Sequence, residues 1–270
     1  MNKILTFTAV VAALMAVSCT PSGSNQSNQV LTKQDVDKNV REFVYPLPTA
    51  FEVTEMLNRI EAAYIIGICN DQANAERYLT ESKRALNLGV YSADLCYANT
   101  YNQKTNVMEY TEVVKKLIDE LDMTKAVDPE LPSKLERSDN NKDESTELIS
   151  ETFYDCYDYL NKNGRGPVSL LVVAGSWIEG LYIATHISEY TFDNKEMVKV
   201  VMSQKDPLIK LNDLLAKYPN NSNVEPLRQA LEPLVNIYSS IDEGGISLTQ
   251  SDEIKKNIDV IRTGVVDYNN

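Results

Sequence analysis

Apolar residues recur at intervals of three and four along most of the sequence, from about residue 49 onward. This spacing places them on one side of an α-helix, as in amphipathic helices packed around a core. The sequence contains no alternating stretch long enough to predict a β-strand. The periodicity therefore predicts an all-α fold, with a single helical domain of about eight helices over residues 46–270.

Helix caps and polar segments predict where some of these helices begin and end. Asp71 is the expected cap of the second helix, and Ser222 with Glu225 has the spacing of a capping box. Thr249 is expected to open the last helix. Residues 136–147 contain no apolar residue, which predicts a loop inside the domain.

Residues 168–187 form a long apolar segment in which Glu179 is the one charged residue, with His186 near its end. Its length alone permits a membrane span. An ionisable side chain at the middle of a bilayer is costly without a partner, however. Three small residues, Gly175, Gly180 and Ala184, also favour close packing against other helices. We therefore predict a central core helix, wrapped by the rest of the domain.

That helix carries a polar stripe. Glu179, Tyr182, His186 and Glu189 are spaced three, four and three apart, so they share one face, and Trp177 lies nearby. One interpretation is a cleft in which carboxylate, phenol and imidazole bind a small polar ligand. The other is a buried hydrogen-bond network that satisfies its own members. We keep both interpretations at this point.

Residues 89–98 and 175–184 share the pattern Gly-x-aromatic-x-x-x-Leu-x-x-Ala. Two explanations are open: a duplicated helical unit, or chance similarity between two helices of like composition. Under the first explanation the two segments lie together in the fold. Asp94 and Tyr91 then join the candidate ligand-binding residues of the polar stripe.

Composition argues against several classes of function. The formal net charge of -13 disfavours a nucleic-acid binder, which needs clustered Lys and Arg. His186 is the one histidine, so mechanisms and metal sites that need two are excluded. We find no Gly-x-Ser-x-Gly elbow and no glycine-rich phosphate loop. We predict no catalytic residue, no metal and no cofactor.

Cys69, Cys96 and Cys156 lie in apolar helical contexts. We expect them to be buried free thiols that act as small hydrophobic groups. An exported protein can form a disulfide, and Cys69–Cys96 is the pair to test for one.

The N-terminus has the layout of a secretory signal peptide: Lys3, an uncharged apolar run from residue 4 to residue 17, and a small residue before Cys19. Residues 16–19, Ala-Val-Ser-Cys, resemble the lipobox of bacterial lipoproteins. The resemblance implies that residues 1–18 are removed and that Cys19 carries the lipid, palmitate included. The alternative is an ordinary signal peptide with an incidental cysteine.

Residues 19–45 are predicted to be a flexible tether between this anchor and the domain, beginning with the polar residues 20–28. The resemblance implies, through Thr20, attachment to the outer membrane. No acidic cluster follows Cys19, which favours the periplasmic side, with surface display as the alternative. The acidic chain would be repelled by anionic headgroups, so the lipid must provide the membrane attachment.

These features predict a lipid-anchored cell-envelope protein with a non-catalytic binding or scaffolding role. Its partner would be a protein or peptide held in a groove between helices. The alternative is a small-molecule-binding protein or enzyme that uses the polar stripe. The first predicts an exposed apolar groove and an internally paired stripe, whereas the second predicts that the stripe opens into a pocket.

Overall fold

The computed structural model describes residues 50–138, 141–188, 195–242 and 245–267. Within these ranges the chain forms α-helices, two short 3-10 helices (Gln72–Arg77 and Thr124–Ala126) and no β-strand, which confirms the all-α prediction. The signal peptide, Cys19 and the tether lie outside the described residues. The ten described α-helices are α1 Ala50–Arg59, α2 Glu81–Thr100, α3 Lys104–Glu120, α4 Leu131–Arg137, α5 Lys142–Lys162, α6 Gly166–Ser188, α7 Lys195–Met202, α8 Lys205–Leu215, α9 Glu225–Ser239 and α10 Leu248–Val266.

Two long helices, α2 and α6, form the centre of the domain. Helix α2 is buried continuously from Ala85 to Thr100. Helix α6 is long and apolar enough to cross a membrane, yet 94% of its most apolar stretch is buried inside the protein. It is the central core helix that the sequence predicts.

Helices α2 and α6 run parallel. An ion pair between Glu81 and Arg165, 2.7 Å long, joins their N-terminal ends. Further along, Asp94 of α2 and Glu179 of α6 are close enough to interact electrostatically. The two helices therefore start together and stay in register.

The backbones of α2 and α6 touch at two glycines. A Cβ atom on Gly89 would lie 2.0 Å from the carbonyl oxygen of Val172, and one on Gly175 would lie 1.9 Å from that of Leu86. Only glycine permits this approach. Gly89 and Gly175 are matched positions in the repeated pattern, and each meets the residue three places before the other. This reciprocal contact favours the duplicated-unit explanation.

The remaining helices cover this central pair. Helices α1 and α5 pack against both α2 and α6, α3 packs along α2, and α10 packs along α6. Helices α8 and α9 pack against each other, and α9 also contacts α10. Helix α10 contributes both to a second, buried ion pair and to a groove, which are described below.

The predicted start of the second helix is wrong. Asp71 accepts a hydrogen bond from the Ala73 N–H and caps the short 3-10 helix Gln72–Arg77 instead. Helix α2 begins later, where the Thr80 hydroxyl accepts from the Lys83 N–H. Both residues are good caps, and the extended backbone at Tyr78 separates the two helices.

The predicted capping box at Ser222 and Glu225 is also wrong. Helix α9 begins after Val224 without a side-chain cap, because Glu225 pairs with Arg228 at 2.8 Å. The capping box of α10 is formed by Ser247 and Gln250. The helix therefore begins ahead of the predicted residue, Thr249, which lies inside it.

The polar segment 136–147 is mostly helical rather than a loop. Helix α4 continues to Arg137, and α5 begins at Lys142, capped by Asn141, whose side chain accepts from the Glu144 N–H. Asp143 and Glu144 in the first turn of α5 suit the positive end of its dipole. Solvent-exposed helix ends need few apolar residues, so polarity alone misidentified this segment.

We predict that Gly89→Ala destabilises the protein by at least about 2 kcal/mol, because the added methyl must push α2 away from α6. Intrinsic helix propensity predicts the opposite sign, since alanine in a helix is favoured over glycine by up to about 1 kcal/mol. Denaturant unfolding followed by circular dichroism measures the difference.

Gly264→Ala in α10 is the matched control. A Cβ there meets nothing within 4 Å, so propensity should dominate and the variant should be as stable as the original or slightly more so. Equal stability changes in the two variants would contradict the proposed backbone contact.

Candidate functional site

Glu179 of the predicted polar stripe is paired inside the core. Its side chain is fully buried, and Arg262 from α10 donates two hydrogen bonds to its two oxygens, at 2.7 and 2.8 Å. Such two-pronged geometry is the strongest form of arginine–carboxylate pairing. The pair neutralises a charge that could not otherwise remain ionised in the interior.

Arg262 makes two further contacts. Its guanidinium carbon lies 4.0 Å from the centre of the Tyr182 ring, a cation–π contact, and Nη2 donates to the carbonyl of Ile68 at 3.3 Å. Burial lowers the pKa of Arg262, but the charge of Glu179, the hydrogen bonds to Glu179 and the charge of Asp94 together outweigh burial and raise it. The arginine therefore stays protonated and links α6, α10 and the segment before α2.

His186 also has partners. Its Nδ1 lies 2.8 Å from the carbonyl oxygen of Tyr182, and its Nε2 lies 3.4 Å from Oδ1 of Asp259. Its ring packs on Tyr182, with 4.0 Å between ring centres. Lys255 Nζ is 3.4 Å from the other oxygen of Asp259. Glu189, the fourth member of the predicted stripe, lies outside the described residues.

Asp94 lies beside this ion pair, as the repeated pattern suggested. It is completely buried, and its Oδ2 accepts from the Asn70 N–H at 3.1 Å. Its Oδ1 has no hydrogen-bond partner in the described structure. Burial, followed by the charge of Glu179, raises the pKa of Asp94 well above its ordinary value, and Arg262 offsets only part of this rise.

The other two predicted residues have different surroundings. Tyr91 is buried, donates to the carbonyl of Asp71 at 2.7 Å, and lies 6.1 Å from the ring of Tyr110. Trp177 is buried, and its indole N–H has no partner in the part of the chain that the structure describes. The structure therefore brings together Glu179, Tyr182 and His186 on α6 with Asp94 on α2.

Several members of this cluster were not predicted. Arg262 is the most important, and Asn70, Cys69 and Tyr110 complete the surroundings of Asp94. Arg262 directly follows Ile261, which belongs to the apolar stripe of the last helix. A cation next to an apolar stripe is a weak signal for a buried ion pair, and the sequence offers no stronger signal that points to Arg262.

The three described cysteines are free, as predicted. Cys96 and Cys156 are buried in α2 and α5, but Cys69 is half-buried and lies between α1 and the first 3-10 helix, so the prediction of a buried helical thiol is wrong there. Burial raises the pKa of Cys96 and of Cys156 to about 12. Burial and then the nearby Asp94 also raise the pKa of Cys69. All three therefore remain thiols at neutral pH, which disfavours a nucleophilic role.

A groove lies on the opposite side of α10, between that helix, α9 and the N-terminal turns of α2. It encloses about 510 Å³, whereas the other described cavities enclose about 20 to 90 Å³. One charged residue lines it, Lys83, whose ammonium donates to the carbonyls of Gly264 and Asp267, each at 2.8 Å. The exposed residues that line it are uncharged: Ser222, Asn223, Pro226, Ala230, Pro233, Val260 and Gly264.

No cluster of three or more potential metal-ligating side chains occurs among the described residues. Comparison with known proteins gives no match either: no family model fits the sequence, and neither a curated protein nor a solved structure is significantly similar. The site must therefore be interpreted from its own geometry.

We predict that Arg262→Met destabilises the protein by about 3–5 kcal/mol, because it leaves the buried Glu179 carboxylate without a partner. The double variant Glu179→Gln/Arg262→Met should recover part of this loss, since no buried charge is then stranded. Unfolding free energies of the two single variants and the double variant give the coupling. Additive effects would contradict a direct, buried pair.

Proposed function

We propose that this chain is a lipid-anchored cell-envelope protein whose helical domain binds a partner protein or peptide in the groove between α2, α9 and α10. The observation that carries the proposal is the groove itself. It is the largest of the described cavities, and its exposed walls are uncharged in a protein with 65 charged residues.

The shape and lining of the groove suit an apolar polypeptide segment. A volume of about 510 Å³ falls within the usual range for ligand sites. Two of its walls are helices, each of which combines a small and a larger residue one turn apart: Ala230 and Pro233 on α9, and Gly264 and Val260 on α10. A helix in such a groove can bury its apolar face at close range. Asn223 and Asn257 offer amide groups at the sides of the groove.

The pairing of the polar stripe counts against the small-molecule alternative. Glu179 uses both oxygens on Arg262, and Nδ1 of His186 lies within hydrogen-bond distance of the Tyr182 carbonyl. The groove is lined by other residues. A ligand for the stripe would have to displace an existing buried ion pair, which is costly.

Membrane attachment is the second part of the proposal. The lipobox-like residues 16–19 support lipidation of Cys19, and the polar residues that follow support a flexible tether. A flexible tether over residues 19–45 has a root-mean-square span of roughly 30 Å. That span would hold the domain clear of the bilayer, on the periplasmic side of the outer membrane or, alternatively, at the cell surface.

We predict that a photo-activatable cross-linker at Val260 or Ala230 forms a discrete adduct with one envelope protein in intact cells. With that protein purified, Val260→Lys should weaken binding at least about tenfold, because it places a charge in the centre of an apolar contact. Calorimetry measures the dissociation constants. Val260 is 68% exposed, so this substitution should leave the fold intact.

The control for both steps is Glu112, an exposed residue on α3 that does not line the groove. A cross-linker at Glu112 should give no such adduct, and Glu112→Lys should leave the affinity unchanged. Identical adducts from the groove and control positions, or unchanged affinity in Val260→Lys, would exclude the groove as the binding surface.

We predict that Cys19→Ser moves the protein from the membrane fraction to the soluble fraction and abolishes labelling by radioactive palmitate. The acidic domain has no electrostatic attraction to anionic lipid, so loss of the lipid should release it completely. Cys69→Ser is the matched control and should stay membrane-bound. Membrane retention of Cys19→Ser would refute the anchor and leave the groove proposal untouched.

A further inference from the structure

Residues 61–71, called the strap below, lie between α1 and the 3-10 helix Gln72–Arg77 and form neither a helix nor a strand. They cover the buried acidic cluster, which consists of Asp94, Glu179 and their shared counter-ion Arg262. The strap contains two residues with positive φ, Glu61 and Gly67. Ile66 at its tip is 90% exposed. Segments of this kind are the first to open in a folded protein, since few regular backbone hydrogen bonds hold them.

The strap is attached to the cluster by hydrogen bonds to the core. The Asn70 N–H donates to Asp94, and Tyr110 donates to the Asn70 carbonyl at 3.3 Å. Arg262 donates to the Ile68 carbonyl. The Ile65 N–H donates to the Tyr97 hydroxyl at 2.9 Å. Further hydrogen bonds join the strap to Tyr78, Asn87, Tyr91 and Asn106. Among all these attachments, two are made by the carboxyl group of Asp94 and the guanidinium of Arg262.

The charges beneath the strap do not balance when both acids are ionised. Asp94 and Glu179 face one cation, Arg262, whose two strongest hydrogen bonds are already committed to Glu179. A net negative charge would then be buried, which is strongly unfavourable. The ionisable and charged groups that face Asp94 are Cys69 on the strap, Tyr91 and Cys96 on its own helix, Tyr64 and Tyr110, Glu179 on α6 and Arg262 on α10.

We propose that the strap is a proton-controlled cover: it stays closed while Asp94 is neutral and opens to admit water when Asp94 releases its proton to solvent. Every other wall around Asp94 is a packed helix, so the strap is the element that can yield most easily. Opening would expose Asp94, Glu179, Arg262 and the Cys69 thiol together. None of the residues that carry this proposal lines the groove.

Three interactions act in the opposite direction, because the charge of Arg262, the Asn70 N–H and the Cys69 thiol each favour an ionised Asp94. Arg262 is already paired with Glu179, and the two hydrogen bonds are weaker than the penalty for an uncompensated ion in a dry interior. The raised pKa of Asp94, caused by burial and then by Glu179, has the sign expected if that penalty dominates.

The sign of the pH dependence follows from this raised pKa. The free energy that favours the closed state over the open state is largest below the ordinary aspartate pKa of about 4. It decreases as pH rises toward the pKa of Asp94 in the closed protein. Between these two values the opening constant should rise about tenfold per pH unit. Above the second value it should become constant.

The test is amide hydrogen exchange of the full chain from pH 4 to pH 9, corrected for the intrinsic pH dependence of exchange. We expect the protection of the strap amides of Ile65 and Asn70 to fall about tenfold per pH unit between about pH 4 and the pKa of Asp94 in the closed protein, and then to level off, while α2 and α6 stay protected. In Asp94→Asn, which mimics the neutral acid, strap protection should not vary with pH. Asp213→Asn, at an exposed position on α8, should behave like the unmodified protein.

A second measurement keeps the proposal testable even where Asp94→Asn folds poorly. Carbon-13 NMR of the Asp94 carboxyl in the unmodified protein gives its titration midpoint, which should mark the upper end of the rise in strap opening. Strap protection that is independent of pH would overturn the proposal. So would an unchanged pH dependence in a folded Asp94→Asn variant, or an equal loss of protection in α2 and α10.

Discussion

The backbone contact between α2 and α6 is the constraint on which the rest of the structure depends. Because Gly89 and Gly175 let two parallel helices touch without intervening side chains, both helices lie almost wholly inside the domain. Two long buried helices need cover on every side, which α1, α3, α5 and α10 provide. The same contact fixes the register that brings Asp94 and Glu179 together, so the buried charges follow from the glycine contact.

Those charges explain why α10 lies where it does. An apolar helix could cover α6 equally well, but it would leave Glu179 without a counter-charge. Arg262 supplies it while Ile254, Ile258 and Ile261 on the same helix fill the core. Buried ion pairs add little net stability compared with apolar packing, yet breaking one is costly. The pair therefore acts mainly to specify which helix packs against α6 and in which register.

Sequence patterns predicted the parts of this arrangement that depend on local spacing. The helical period gave the all-α class, the lone Glu179 and the small residues gave the core helix, and the repeated pattern placed Asp94 near Glu179. Arg262 could not be found in this way because it is 83 residues from its partner, and only tertiary packing joins them. The start of α2 was assigned to Asp71 instead of Thr80 for a related reason: both residues can cap, and packing decides which backbone N–H groups each one meets.

Helix α10 faces the acidic cluster on one side and the groove on the other, so binding of the proposed partner can affect the strap. Arg262 points into the acidic cluster, whereas Val260, Ile261 and Gly264 line the groove. The same helix therefore carries the attachment of the strap at Ile68 and a wall of the proposed binding surface. Any partner that holds α10 more firmly would favour the closed strap, and the neutral form of Asp94 would favour the partner to the same degree, because linkage between two equilibria is reciprocal. The pH dependence of partner affinity should then disappear in Asp94→Asn together with that of strap opening, whereas a groove that is not connected to the cluster would bind equally well at every pH.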